Sequence, residues 1–343
     1  MALGLPMGLI WDNPPMTVQP CSNPLNVAEL IAWYDFTDAS TIYRKPDASV
    51  GIVNNQNIGR INNKSQSSDR MGIFLRATNN GLEANEDATT IAPLFKTGGV
   101  NGYSYANFDT SILSTGQCLV GSDYFHVGAG DDFGHHGGYG NGAGGLGANG
   151  TANPNGNIFS NATISNHDLT VFWVFDPTSA TPSGSGSRTH WLIRPDIAGQ
   201  DNGGARNQET RFEANSGYSS NTFSTSHNAE DQNSGSGTAY ASGTVAMATG
   251  ANIFTSKFYD GTNAMSLKVN STVVASETIT TNSTYEMKSG MMSLGRYSLG
   301  NVNSGTISNS GINGNFYEIL MYNRKLTDSD VDCVINYLEN KYT

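Results

Sequence analysis

Short apolar segments that recur between Asn- and Gly-rich turns are the feature of this sequence that most restricts its fold. GIFLRAT at 72–78, YSYANF at 103–108 and SILST at 111–115 follow one another in this way, as the strands of a sandwich do. Helix-favouring stretches are nearly absent before residue 326, and charged residues make up only 14% of the chain, which favours strands joined by turns. We therefore expect β-structure almost throughout.

Four further segments predict the centre of this β-structure. Leu169–Phe175 is nearly continuous in apolar residues, which is typical of a strand buried on both faces. Alternating residues on both sides of Asp260-Gly261 predict a hairpin. The apolar segments Leu30–Phe36 and Phe316–Tyr322 predict one strand near each end of the chain.

The C-terminal segment predicts the one convincing helix. Thr327 is a suitable N-cap, with Asp330 three residues later and Asp328 in the first turn. An apolar stripe follows at i, i+3, i+4 and i+7, formed by Val331, Val334, Ile335 and Leu338. We expect the helix to dock on the sandwich by this stripe.

Composition and charge exclude several partners. The net charge is −11, and no Lys/Arg cluster could neutralise a row of phosphates, so nucleic acid is not expected. No stretch has the length of an apolar membrane span, and no basic residue or signal-length apolar run precedes Arg44, so neither membrane insertion nor Sec export is expected. Cys21, Cys118 and Cys333 are odd in number and far apart, and we expect them to be reduced.

Residues 1–24 are interpreted as an extended arm that precedes the domain at 25–343. They hold five of the 11 prolines, which disfavour regular helix and ladder hydrogen bonds. A disordered leader is the alternative. The apolar side chains predicted to anchor the arm to a partner subunit are Leu5, Leu9, Ile10 and Trp11.

Four pieces of the chain resemble the concanavalin A-like superfamily, in its laminin-G-type form found in phage and bacterial surface proteins. They are LIAWYDFTDAST at 30–41, TVFWVFDPTS at 170–179, FYDGTNAMSLKVNST at 258–272, and the segment from 293 to the end. The last is the most specific, through Glu318, Tyr322, Asn323, Arg324, Leu326, Thr327, Asp328, Lys341 and Tyr342.

This resemblance implies an all-β, two-sheet antiparallel jelly-roll sandwich with one C-terminal α-helix. The stretches at about 121–166 and 196–250 match no piece of it, and they are interpreted as long loop insertions. The first includes a glycine-dense segment, whose backbone entropy would be costly to fix.

The sequence does not offer a convincing pair of catalytic carboxylates. Glu209 and Glu213 would share one face of a strand, but at about 13 Å apart they are too distant for a retaining glycosidase. Solvated or ion-paired carboxylates beside Arg211 are the favoured interpretation. Glu318 has apolar neighbours, and the resemblance implies a strand residue paired locally with Arg324.

One segment concentrates residues that can bind metals. Paired aspartates with loop carbonyls allow Ca²⁺, and adjacent histidines allow a transition metal, although a plain polar loop is favoured because no known ligand spacing is present. The candidates are Asp123, His126, Asp131, Asp132, His135 and His136. No other cofactor is expected. Tyr139 and Tyr218, flanked by Gly, Asn and Ser, are candidate ligand contacts in loops, with turn filler as the alternative.

Two classes of function remain, because this fold hosts many activities. The first is a non-enzymatic virion structural protein, such as a phage capsid decoration, head fibre or tail component, on the virion surface with other virion proteins and copies of itself as partners. The second is an extracellular, carbohydrate-binding adhesin or lectin of a microbe that contacts a cell-surface glycan. A glycoside hydrolase of the same fold is disfavoured. The virion role is the main expectation.

Overall fold

A computed structural model describes fifteen segments of the chain. They are residues 23–45, 48–65, 74–79, 82–83, 92–109, 117–122, 168–177, 188–195, 208–214, 222–229, 238–244, 250–259, 264–278, 290–295 and 311–343. These segments contain eighteen strands, three short 3₁₀ turns and one α-helix.

The strands are two to nine residues long. They are β1 Leu30–Asp35, β2 Ile42–Tyr43, β3 Arg60–Asn62, β4 Phe74–Asn79, β5 Leu82–Glu83, β6 Leu94–Lys96, β7 Tyr105–Phe108, β8 Leu119–Ser122 and β9 Leu169–Pro177. Then follow β10 Arg188–Pro195, β11 Gln208–Ala214, β12 Thr222–Ala229, β13 Thr238–Thr244, β14 Asn252–Tyr259, β15 Ala264–Val269, β16 Thr272–Thr278, β17 Gly290–Leu294, β18 Gly314–Tyr322 and helix α1 Asp328–Tyr342.

The strands form two sheets, and every pairing in the described segments is antiparallel. Sheet A has the order β16, β15, β14, β9, β18, β7, β6, with β1 also paired to β18. Sheet B has the order β13, β12, β11, β10, β17, β8, β4, β3, β2, with β5 paired to β4. The expected all-β, two-sheet jelly-roll sandwich with one C-terminal helix is confirmed.

The main core lies between the two sheets. Trp173 of sheet A stacks on Phe254 of the same sheet at 5.1 Å and meets Trp191 of sheet B edge-on at 5.7 Å. The Trp173 indole Nε1 also donates a hydrogen bond of 3.1 Å to Nδ1 of His190 in sheet B. Burial of large side chains such as these stabilises the fold by about 1.5 to 3 kcal/mol each before ordering entropy is subtracted.

A second core lies between helix α1 and the outer face of sheet A. Val331, Val334 and Leu338 of the helix are buried there, against a sheet face that includes Phe172 and Leu320. Strand β9 is therefore covered on both sides, which explains its continuous apolar run. Both the central position predicted for this strand and the docking face predicted for the helix are confirmed.

Helix α1 begins as the sequence predicts. The Thr327 side chain accepts a hydrogen bond from the Asp330 backbone N–H, and the Asp330 carboxylate accepts one from the Thr327 backbone N–H. This reciprocal pairing provides acceptors for two backbone N–H groups that have no hydrogen-bond partner within the helix. Asp328 and Asp330 also place negative charge in the first turn, where the helix dipole favours it.

The segment expected to be a loop insertion at 196–250 contains β11, β12 and β13, which extend sheet B beyond β10. The strand expected to carry Glu209 and Glu213 is β11, whereas the interpretation of β12 and β13 as loop is wrong. Their sequence is rich in Thr and Ser and lacks a long apolar run, so it gives no strong strand signal. Cross-strand pairing stabilises these strands without an apolar run, since seven residues of β11 pair in register with β12.

The cysteines differ from the expectation that all are reduced. Cys118 is a buried thiol, whereas Cys333 of α1 is disulfide-bonded to a partner outside the described residues. Separation in sequence does not exclude a disulfide, since residues distant in a chain can be neighbours in its fold.

Candidate functional site

Most of the residues that the sequence singles out lie outside the described segments. This holds for the arm residues Leu5, Leu9, Ile10 and Trp11, for the metal candidates Asp123, His126, Asp131, Asp132, His135 and His136, and for Tyr139 and Tyr218. Asn23 and Pro24 are described, and the Pro24 carbonyl accepts a hydrogen bond of 3.2 Å from the Tyr322 hydroxyl. The roles assigned to these residues remain predictions.

Glu209 and Glu213 lie on one strand, β11, opposite Asn228 and Ser224 of β12. They are four residues apart, which at the rise of a β-strand corresponds to about 13 Å. A retaining glycosidase needs its two carboxyl groups about 5 Å apart. The structure therefore confirms that Glu209 and Glu213 lie on one strand, and their exclusion as a catalytic pair stays a prediction.

A buried charged network joins the helix to sheet A, and it comprises Asp35, Lys64, Glu318 and Lys341. Glu318 is fully buried, and its carboxylate accepts four hydrogen bonds. They come from Trp33 Nε1 at 2.6 Å, Lys341 Nζ at 2.7 Å, the Tyr342 hydroxyl at 2.7 Å and the Tyr337 hydroxyl at 3.0 Å. Each donor lies on β1 or α1, so the network holds the helix on the strand.

Asp35 is the second acid of the charged network. Its carboxylate lies 2.9 Å from Lys64 Nζ and 3.2 Å from Lys341 Nζ, and it also accepts from the Thr37 hydroxyl at 2.6 Å. Burial acts to raise the pKa of Asp35, but Lys341 and Lys64 outweigh this effect and hold it below its usual value. For Glu318, burial and the nearby Asp35 raise the pKa despite Lys341.

The charged network is closed, and we assign it a structural role. Its acids are 3% and 0% exposed, so a glycosidic bond cannot enter between them. The expected pairing of Glu318 with Arg324 is wrong. Arg324 instead contacts Asp330 at 2.9 Å and the Ala28 carbonyl at 3.3 Å, because β18 ends at Tyr322 and the chain turns toward the helix start.

A polar ladder crosses three neighbouring strands of sheet A, and it comprises Asp176 of β9, Asn315 of β18 and Asn107 of β7. Asn315 is the register partner of both Asp176 and Asn107. Their neighbours Phe175, Phe316 and Phe108 belong to the core between the sheets. Side chains alternate along a strand, so the ladder lies on the outer face of sheet A.

Side-chain hydrogen bonds connect the polar ladder. Asn107 Nδ2 donates to Asn315 Oδ1 at 2.9 Å, and Asn315 Nδ2 donates to Asp176 Oδ2 at 3.3 Å. All three side chains are half-buried. Burial raises the pKa of Asp176, and within the described segments no Lys, Arg or His forms an ion pair with it. Asp176 is therefore a partly desolvated carboxylate that has no counter-ion among the described residues.

A tyrosine shelf borders the polar ladder, and it comprises Tyr103, Tyr105, Tyr317 and Tyr342. The ring centroids of Tyr105 and Tyr317 are 5.5 Å apart, those of Tyr317 and Tyr342 5.4 Å, and those of Tyr103 and Tyr342 5.7 Å. Tyr103 is 36% exposed and Tyr105 is half-buried, whereas Tyr317 and Tyr342 are buried, so Tyr103 and Tyr105 are the rings that a ligand can reach. Burial, with a further contribution from the charge on Asp176, raises the pKa of Tyr105. Tyr105 and Tyr317 lie two residues from Asn107 and Asn315 on the same strands, so the ladder and the shelf share the outer face of sheet A.

The turn at 98–103 fixes the tyrosine shelf in place. The Val100 backbone N–H donates to the Tyr317 hydroxyl at 3.2 Å, and Asn101 Nδ2 donates to the Lys341 carbonyl at 3.0 Å. A Cβ atom on Gly99 would lie 2.7 Å from both Tyr105 Cδ1 and the Tyr317 hydroxyl. Glycine at this position lets the turn approach the rings closely.

The sequence did not predict this surface. Asp176 and Asn315 are 139 residues apart, and Asn107 and Asn315 are 208 apart, so no local spacing connects them. A usable signal does exist, since Asp176 is a polar residue that directly follows the apolar run Leu169–Phe175 within β9. Within the described segments, no three His, Cys, Asp or Glu residues come together to hold a metal ion. The part of the chain that the structure describes includes no helix long and apolar enough to cross a membrane.

Several solved structures are similar to part of this chain. The IT-sialidase CBM40 of Ruminococcus gnavus bound to α2,3-sialyllactose has a TM-score of 0.38 at 12% identity, covering 52% of this chain and 90% of that one. The NanB sialidase of Streptococcus pneumoniae has a TM-score of 0.35 at 16% identity, covering 48% of this chain and 23% of that one.

The heptameric SAP-like pentraxin of Limulus polyphemus has a TM-score of 0.35 at 13% identity, covering 50% of this chain and 70% of that one. No family model matches the chain, and no curated protein matches it.

Proposed function

We propose that this protein is a non-enzymatic, lectin-like recognition protein that binds a saccharide on the outer face of sheet A. The observation that carries the proposal is the junction of the polar ladder with the tyrosine shelf. Saccharide rings present hydroxyl groups at their edges and C–H bonds on their faces. A hydrogen-bonding row beside an aromatic surface offers both kinds of contact, and binding sites commonly combine a few placed polar groups with aromatic side chains.

The rigidity of this surface supports a binding role. Asp176, Asn315 and Asn107 are held by strand pairing and by each other, so a ligand need not order them. Tyrosine also loses little conformational entropy on contact, since it has two side-chain torsions. Asp176 has no counter-ion in the described segments and is partly desolvated, a state that is characteristic of functional sites.

The absence of enzymatic activity is part of the proposal. Asp35 and Glu318 are the two carboxylates that the charged network brings together, and both are buried and bound to lysine. On the polar ladder, Asp176 is accompanied by amides and not by a second acid. Glycoside hydrolysis normally needs two carboxyl groups on either side of the bond.

The virion role and the microbial adhesin role differ in where such a domain would be displayed. The virion role depends on the arm at 1–24, of which residues 1–22 lie outside the described segments, and it remains a prediction, as does self-association. The disulfide at Cys333 favours display on a virion or cell surface, because disulfides persist in oxidising surroundings. We favour the carbohydrate-binding role.

A glycan-array screen followed by calorimetric titration tests the proposal. We expect a saccharide to bind, and Asp176→Asn to weaken binding about tenfold or more, because a hydrogen bond to a charged group contributes about 1.5 to 3 kcal/mol. Asp332→Asn is the matched control, since Asp332 is an exposed residue of α1 and does not belong to the polar ladder. If no glycan binds, or if both variants bind like the unmodified protein, the proposal is wrong.

A further inference from the structure

We infer that the saccharide recognised at the polar ladder is uncharged, and that sugars carrying a carboxylate or sulfate are rejected there. This inference rests on the proposed function and narrows its ligand class. It follows from three observations: Asp176 carries negative charge, the nearby lysines bind other groups, and Asn315 and Asn107 each retain a free N–H donor.

Asp176 presents negative charge at the centre of the surface. Its pKa is raised by burial, but shifts large enough to neutralise a carboxyl group at pH 7 are characteristic of fully buried groups. Asp176 is half-buried, so it is ionised at neutral pH. An ionised carboxylate can only accept hydrogen bonds, and the ligand must therefore supply O–H or N–H donors at this position.

The lysines near this surface are engaged elsewhere. Lys341 Nζ binds Glu318 and Asp35 beneath the tyrosine shelf. Lys96, the register partner of Tyr105, donates to Asn55 Oδ1 at 2.6 Å. Recognition of a carboxylate or sulfate ordinarily uses arginine or lysine as the donor. Among the described residues, no cation is placed to compensate an acidic sugar beside Asp176.

The two amides complement the carboxylate. An asparagine side chain has two N–H donors, and Asn315 and Asn107 each use one of them within the polar ladder. A sugar hydroxyl can donate to Asp176 and accept from Asn315 at the same time. A neighbouring hydroxyl can repeat this pattern at Asn107, whose carbonyl oxygen accepts. The ladder thus matches a pair of adjacent hydroxyl groups, while the C–H face of the ring packs on Tyr105.

The overall charge of the chain acts in the same direction. The net charge is −11, so an acidic glycan is repelled as it approaches, and this repulsion is strongest at low salt. Local and long-range electrostatics therefore favour the same class of ligand. The test accordingly compares each neutral glycan with counterparts that carry an added acidic group.

The experiment uses the full chain and an array of matched glycans, each neutral oligosaccharide being paired with its sialylated and its sulfated counterpart. We expect the neutral members to bind at least tenfold more tightly than their acidic partners. Asp176→Asn should shrink this ratio, because it removes the repelling charge while retaining the shape, whereas Asp332→Asn should leave the ratio unchanged. Melting temperatures measured in parallel show that each variant is folded.

The possible outcomes separate this inference from the proposed function. If acidic glycans bind as well as or better than neutral ones, and Asn315→Ala abolishes that binding, the surface is a saccharide site but the inference is wrong. If no glycan binding depends on Asp176, Asn315 or Asn107, the proposed function fails as well. Binding should persist in EDTA, and its loss there would overturn direct recognition of hydroxyl groups by the ladder.

Discussion

Asp35 and Glu318 face each other across strands β1 and β18, and the same lysine joins them. Lys341 Nζ lies 3.2 Å from the Asp35 carboxylate and 2.7 Å from the Glu318 carboxylate. Two acids side by side in a buried position would repel each other strongly. The penultimate residue of α1 compensates both, so the C-terminus of the helix is fixed to the strand nearest the N-terminal end of the domain.

The first prediction concerns this lysine. Lys341→Met should lower the free energy of unfolding by about 3 to 5 kcal/mol, because it leaves buried negative charge uncompensated. Urea titration followed by circular dichroism measures the change. Asn340→Ala, at an exposed neighbouring position of the helix, is the control and should have little effect. Adding Glu318→Gln to the Lys341 variant should restore part of the loss, and a loss no larger than that of the control would contradict the assignment.

A second prediction concerns His190, which is fully buried between the sheets. Burial lowers its pKa to about 3, whereas an unfolded histidine has a pKa near 6.5. Between these values the unfolded state binds the additional proton. The contribution of His190 to stability is therefore fully present above pH 6.5, and it declines by about 1.4 kcal/mol per pH unit as the pH falls toward 3.

Comparison with His190→Gln isolates this effect. Unfolding free energies should be measured from pH 4.5 to 6.5, a range above the usual pKa values of aspartate and glutamate. Glu318, whose pKa is raised, titrates in both proteins, so the difference between them reports His190. The pH slope of the variant should be smaller by one proton, and equal slopes would show that His190 is charged in the fold.

The third prediction tests the docking of helix α1. Leu338 is fully buried against sheet A, and Leu338→Ala should cost about 2 to 5 kcal/mol of unfolding free energy through lost burial and the cavity left behind. Asn336→Ala changes an exposed position of the same helix and should cost little. Thermal and urea unfolding give both values. An unchanged melting temperature for the Leu338 variant would show that the helix is peripheral.

The fourth prediction concerns the three cysteines. Because Cys118 is a buried thiol and Cys333 is disulfide-bonded, the folded protein should resist alkylation. Unfolding without a reductant should expose one reactive thiol, Cys118, and reduction should expose all three. Mass spectrometry after iodoacetamide treatment counts the modified residues. Three modified cysteines without a reductant would show that no disulfide is formed.

The elements that the sequence predicted well are those whose cause is local. The start of helix α1 was predicted from the N-cap at Thr327. Its buried face was predicted from the apolar stripe that contains Val331, Val334 and Leu338. The apolar run at Leu169–Phe175 gave the central strand, because residues covered on both faces need no polar alternation. Asp260-Gly261 lies between the strands of the predicted hairpin, β14 and β15, which pair as expected.

Functional residues were harder to predict, because the role of each side chain depends on contacts with residues that are far away in sequence. Glu318 was predicted to be a strand residue paired with Arg324, which is close to it in sequence. In the structure Glu318 instead contacts Lys341 and lies opposite Asp35 on β1. Strands β12 and β13 were interpreted as part of a polar loop because their sequence has no apolar pattern of its own.

By itself the sequence determined the fold class, the hairpin, the helix and the side of the helix that is buried, since propensity, capping and periodicity act over a few residues. The tertiary structure alone decided that Asp176, Asn315 and Asn107 form one row and that Tyr105 lies beside it. Strand order sets such neighbours, and strand order results from packing an entire chain around one core. A binding surface assembled across strands β9, β18 and β7 therefore leaves no continuous trace in the sequence.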